Sequence, residues 1–225
     1  KLRNPIFDGH TIARELKNIY DFEIDTLFDP TKAEIEEKLE SYKHKQFADD
    51  DQLFIFYAGH GDYDKEAAEG YLVPKDADHM ENDVFRESFI SHTYFRDQLN
   101  QISSKHTFLV LDACFGGTFD QKLTASDRSI CVYDEQKKQF IESRMLYRTR
   151  RYISSGGKQY VPDGRPGEHS PFAKMFIEAL LSKGGRRGIL TITKILSSTE
   201  NVNPMPQEGE FGDNELRSEF LFISK

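Results

Sequence analysis

Two short blocks carry the side chains best suited to covalent chemistry, Tyr57-Ala-Gly-His-Gly61 and Asp112-Ala-Cys-Phe-Gly-Gly117. A thiol with an ordinary pKa of about 8.5 is only a few per cent ionised at neutral pH, so a cysteine nucleophile needs a base or a positive field beside it. Cys114 is the candidate nucleophile and His60 the candidate base and proton donor. Acyl transfer also needs donors for the developing oxyanion, and unobstructed backbone N–H groups supply them. Gly61, lacking a Cβ, can present one such group beside His60, and the amide of Cys114 can be the second. Other cysteine chemistries fit poorly: a tyrosine-phosphatase loop would need arginine six residues after the cysteine, where Asp120 stands. No Gly-rich phosphate loop ending in Gly-Lys-Ser/Thr is present.

Both blocks follow apolar runs that read as strands, Leu53 to Tyr57 and Phe108 to Leu111. A continuous apolar run suits a strand covered on both faces, as in a parallel sheet. Side chains alternate, so Asp112 and Cys114 should project to one side, roughly 7 Å apart at about 3.3 Å per residue. Neighbouring parallel strands would bring the imidazole and the thiol together at their carboxyl ends. Around them the chain alternates helix and strand. A helix is expected within residues 1–20 with Asp8 as N-cap, then an alternating strand Phe22–Leu27, then a helix started by the capping box Thr31/Glu34. The segment holding Gly70 to Asp78 reads as irregular, and a helix from Ser91 to Ile102 follows. Residues 121–151 are polar and rich in Lys and Arg, and read as a mobile linker between a large part (1–120) and a small part (152–225) of one domain. His169 and Ser170 are expected to set the start of a helix over Phe172–Leu181, with Pro171 at its first position. A short helix over Thr191–Ser198 and a last strand over Glu219–Ile223 complete a mainly parallel α/β arrangement, with ligands at the carboxyl ends of its strands.

The totals fit that reading. The 225 residues are 37% hydrophobic and 30% charged, ordinary for a globular domain. A formal charge of −8 argues against nucleic acid as the main partner. No apolar run approaches the roughly 18 residues of a membrane span. Two cysteines, Cys114 and Cys131, cannot form a disulfide framework, and the cytosol is the expected compartment.

The two blocks resemble the signature blocks of the caspase-like cysteine peptidases, in their bacterial and metacaspase-like branch. Fifty-four positions separate His60 from Cys114, near the roughly fifty expected. GYLVPKDAD, RYISSGGKQYVPDG, GEHSPFAKMFIEAL and GEFGDNELRSEFLF also look like segments that bacterial members carry in this order. The resemblance implies a three-layer sandwich with a six-stranded, mostly parallel sheet. It also implies a His60–Cys114 dyad, an oxyanion hole from the Gly61 and Cys114 amides, and peptide-bond hydrolysis through an acyl-enzyme. No cofactor is implied; calcium activation occurs in some metacaspases, and Asp62 and Asp64 alone are weak support for a metal. A peptide substrate would pair with backbone at Ser154, Ser155 and Gly156, and an activating domain or partner protein is possible.

Animal caspases place glutamine two residues before the cysteine, whereas Asp112 stands there, as in metacaspases. Asp8 looks like the metacaspase acid that lines the primary pocket. Two carboxylates repel an acidic side chain and would hold arginine, by a bidentate fork, or lysine. Cleavage after Arg or Lys is therefore expected, and the basic stretch 121–151 becomes a candidate self-processing site. The family also has a strand ahead of the first helix, inside the sheet, which residues 1–7 are too few and too polar to supply; the stretch is expected to be trimmed or processed at its front. A legumain- or gingipain-like peptidase and a catalytically silent, peptide-binding caspase fold are the alternatives.

Overall fold

The structure, a computed structural model, describes residues 2, 4–79, 81–119, 136–157, 159–185, 188–199 and 201–225. Helix α1 (Pro5–Tyr20) starts at Asn4 with proline in its first turn, so Asn4 and not Asp8 holds the N-cap position. Helix α2 (Lys32–His44) follows the expected capping box, in which the Thr31 side chain accepts from the Glu34 amide and the Glu34 carboxylate accepts from the Thr31 amide. Strand β1 (Gln52–Ala58) leads into β2 (Gly61–Asp64), β3 (Glu69–Leu72) and β4 (Ile90–Ser91), which form a small antiparallel sheet. Helix α3 (His92–Asn100), β5 (His106–Asp112), α4 (Gln136–Met145), β6 (Thr149–Ser154) and α5 (Pro171–Leu181) come next. Strand β7 (Ile189–Thr191), α6 (Ile192–Thr199), β8 (Gln207–Glu210) and β9 (Leu221–Ile223) close the chain.

The central sheet runs β1-β5-β6-β8; its first three strands are parallel and β8 is antiparallel. Strand β5 is buried at all seven positions, as its unbroken apolar run requires. Its alternation sorts the core into two faces. Phe108 and Val110 join α1, α5 and α6 through Ile12, Leu16, Phe172, Phe176 and Ile195. Leu109 and Leu111 join α2 and α3 through Ile35, Leu39, Phe95 and Leu99. Helices therefore cover both faces, and the chain is a three-layer α/β structure with a mostly parallel sheet.

The sheet has four strands among the described residues, fewer than the family's six even with the first of those expected to be missing. Phe22–Leu27 alternates like a strand but joins no ladder. A cavity of about 730 Å³ lined by residues 25–30 on one side and 53–60 on the other separates it from β1, whereas paired backbones lie about 4.8 Å apart. The last strand, β9, pairs with β7 outside the central sheet. It is fastened to β1 by Gln52, whose side-chain amide donates to the Leu221 carbonyl at 2.7 Å and accepts from its N–H at 3.0 Å. Two short strands, β2 and β3, occupy the stretch expected to be irregular, and α4 occupies part of the basic segment 121–151. Helix formers without an apolar stripe account for α4, together with the Lys138–Glu142 pair one turn apart. Residues 120–135, which include Cys131, lie outside the described residues.

Candidate active site

The register of β1 on β5 sets the site. Ala58 lies opposite Asp112, and the ladder continues past the strand ends because the Gly59 amide donates to the Asp112 carbonyl at 3.2 Å. Residues 59–61 and 113–115 thus leave the sheet side by side. At Gly61 the two backbones nearly touch: a Cβ there would sit 2.1 Å from the Cys114 carbonyl oxygen. Only glycine fits, and its requirement is steric closeness to the cysteine loop. His60 is exposed; its carbonyl is fixed by the Val73 amide at 3.1 Å and the Tyr57 hydroxyl at 3.2 Å. Partial desolvation lowers the His60 pKa, favouring the neutral imidazole that a base must be.

Cys114 is half-buried, and its Sγ accepts from the Val161 N–H at 3.3 Å. The chain then turns hard: Phe115 has φ +63° and Gly116–Thr118 form a single 3-10 turn. Gly117 donates to the Gly156 carbonyl at 2.9 Å, closing the turn onto the loop after β6. Buried His92 braces it from behind. Its Nδ1 lies 3.1 Å from the Thr118 hydroxyl, which donates to the Phe115 carbonyl at 2.8 Å. Burial pushes His92 down to about 4, so it is a neutral Nδ1–H donor near neutral pH. The sequence reading passed over this brace.

Asp112 points to the same face as Phe108 and Val110, the face that α1 and α5 cover. It is buried and meets Ser170 there, whose hydroxyl donates to Oδ2 at 2.6 Å. Ser170 does double duty, because the same oxygen accepts from the Ala173 amide at 2.9 Å and caps α5. Asp8, in the first turn of α1 and 1% exposed, accepts from the Ser170 amide at 3.3 Å. Its other oxygen lies 2.5 Å from His169 Nδ1. The two acids the sequence singled out are thus brought to one residue, Ser170. Burial pushes Asp112 up to about 6, offset by Ser170 and Ser155 and reinforced by the charges of Asp8 and Asp163. Asp8 is raised too, chiefly by burial, while His169 and Ser170 oppose the shift. Asp163, which no sequence pattern marked, acts on Asp8, Asp112 and His60 alike. Its stretch of loop is pinned by buried Asn4, whose side-chain amide donates to the carbonyls of Asp163 and Arg165 at 2.5 and 2.9 Å.

Ser154, Ser155 and Gly156 lie at the end of β6 and in the loop that follows it. All three are buried, and part of their backbone is engaged. The Ser155 amide donates to the Leu111 carbonyl at 2.8 Å, and the Gly156 carbonyl accepts from Gly117 and from the Ser154 hydroxyl. The Ser155 hydroxyl stands on the Asp112 side, favouring its charged form, yet it makes no hydrogen bond of ordinary geometry. Asp62 and Asp64 are also accounted for: Asp62 pairs with Arg86 at 3.3 Å, and Asp64 caps the turn at Glu66 and Ala67. No helix among the described residues is long and apolar enough to cross a membrane.

Comparison with curated proteins returns no match. The family model described as the caspase domain, by contrast, matches residues 1–207, a span that takes in both strand tips, the braced cysteine turn and the carboxylate pair around Ser170. This chain belongs to the caspase-domain family.

Proposed function

We propose that the chain is a cysteine endopeptidase of the metacaspase-like kind, which cleaves protein substrates after arginine or lysine. The observation that supports this most is the convergence of Asp8 and Asp112 on Ser170, beside the strand tip that carries Cys114. A buried carboxyl pair held by one hydroxyl, one backbone amide and one imidazole is short of positive charge, and a guanidinium or ammonium group supplies it. In the reaction, His60 takes the Cys114 proton and the sulfur attacks the scissile carbonyl. The Gly61 and Cys114 amides receive the oxyanion, and the imidazolium protonates the leaving amine. Water, activated by the same imidazole, then releases the acyl group. The basic stretch 121–151 is a candidate for self-cleavage within a single large-part and small-part domain.

The test is turnover of matched peptides with Arg, Lys or Asp before the scissile bond. Arg and Lys peptides should be cut and Asp peptides spared; Cys114→Ala should cut none. Preferential cleavage after Asp, or undiminished Arg cleavage by Asp112→Ala, would sink the pocket assignment. Mass spectrometry of wild type beside Cys114→Ala checks self-cleavage: one intact species in both rules it out.

A further inference from the structure

Beside the two carboxylates stands a base that the reaction above does not use. His169 sits 2.5 Å from Asp8 through Nδ1, and its ring stacks on Phe7 at 4.4 Å and 10°. Its side chain is 21% exposed while that of Asp8 is 1% exposed, so solvent protons reach the imidazole but not its carboxylate partner. The groups facing this pair come from each element packed around it. Helix α1 gives Asp8 itself, β5 gives Asp112 through Ser170, and the loop after β6 gives Asp163. Three of these are acids, and His169 is the base in direct contact with Asp8 among the described residues. The pocket's charge therefore changes by a full unit when this one imidazole titrates. The geometry also fixes its donor: with Nδ1–H on Asp8 Oδ1 and the Ser170 amide on Oδ2, the carboxylate is held in one orientation from both ends.

We propose that His169 is a positioning residue that sets the charge, and hence the cation affinity, of the pocket formed by Asp8 and Asp112. In its neutral form it orients Asp8 and leaves the carboxylate's charge available to a guanidinium or ammonium group. In its protonated form it neutralises that charge from inside the wall, and the cation is held less tightly. The inference rests on the basic-side-chain reading and adds to it: substrate binding depends on pH through a residue that takes no part in bond making. Because coupling between two sites is reciprocal, a cation in the pocket must depress the titration midpoint of His169 by the factor through which protonation weakens the cation.

The experiment uses the full chain and benzamidine, an amidinium probe that requires no turnover. Its dissociation constant is measured by calorimetry from pH 8 to pH 5.5 for wild type and for His169→Asn, whose amide keeps a donor for Asp8 without titrating. For wild type the affinity should fall more than tenfold over that range, since the charge on His169 adds to the protonation of Asp112 near pH 6, which weakens binding in both proteins. For His169→Asn it should fall with one proton fewer. In parallel, the Cε1–H resonance of His169 is titrated in the wild-type chain with and without saturating benzamidine, and the midpoint should move to lower pH when the probe is bound. That measurement needs no variant. An unmoved midpoint with benzamidine bound, or identical pH slopes in both proteins, overturns the role of His169 and leaves the pocket reading standing. No benzamidine binding at any pH overturns the pocket reading and this inference together.

Discussion

The proposed dyad and the proposed pocket sit side by side but are built by opposite means. His60 and Cys114 are placed by backbone: a parallel register, a glycine pressed against a carbonyl, and a tight turn braced by His92. Their side chains stay partly open to solvent. Asp8 and Asp112 are held by hydrogen bonds to residues far away in sequence, 161 and 162 positions for Asp8 and 58 for Asp112, and they lie buried. The difference teaches where each half is vulnerable. A reactive pair can remain exposed because its geometry comes from the sheet beneath it. A charged pocket must be buried to bind one side chain strongly, and it carries the desolvation of its own acids as a cost.

The largest effect should come from attacking the backbone placement. Gly61→Ala puts a methyl group into the Cys114 carbonyl, so peptide turnover should drop on the order of a thousandfold, the scale of losing oxyanion donation. Near-normal kcat in that variant would mean the two loops are not held as described. Next is Asp112→Asn, which keeps an acceptor for Ser170 and removes a buried charge. Arginine-peptide turnover should fall about a hundredfold or more, while the fold gains stability. The sign follows from the pKa. Asp112 is raised to about 6, so its folded form holds a proton that the unfolded chain has lost, and stability declines as pH rises from about 4 through about 6. Removing that group should raise stability at pH 7 by on the order of 2–3 kcal/mol, readable as a higher denaturant midpoint. A lower midpoint would mean the charge is compensated.

Two buried histidines predict the opposite pH trend, His92 behind the cysteine turn and His106 at the far, amino end of β5. Burial holds His92 and His106 down to about 4, so both bind protons more readily when unfolded. Their stabilising effect is complete above about pH 6.5 and is lost as pH falls towards 4. Urea midpoints measured across that range should fall on acidification, and His92→Gln should flatten the fall by about one proton. Smallest is Thr118→Val, which removes the hydroxyl between His92 and the Phe115 carbonyl. It should cost about 1–2 kcal/mol and several-fold in kcat with KM little changed. A change confined to KM would assign the turn to the pocket and not to the dyad.

Much of this was legible in the chain. The apolar run Phe108–Leu111 demanded a strand buried on both faces, and the Thr31/Glu34 box and the Ser170-Pro171 pair marked helix starts where the structure has them. The short strands β2, β3 and β8 were not legible, because four residues carry too little periodicity to separate them from loops. Phe22–Leu27 misled for the converse reason: its alternation is real, but a strand exists only where a partner backbone lies within reach. Asp8 read as a cap because an acid near a helix start usually is one; Pro5 moved the boundary, and the carboxylate turned inward instead.

What the order of residues decided alone is the local chemistry: which side chains can attack, accept a proton or cap a helix, and which runs must be buried. Those depend on composition and on spacing within a few residues. The meeting of Asp8 with His169, of Asp112 with Ser170, and of Asn4 with the loop at Asp163 was decided only by the folded chain. Such contacts require packing α1 and α5 on the same face of β5, and no short-range pattern encodes which distant helices will share a face.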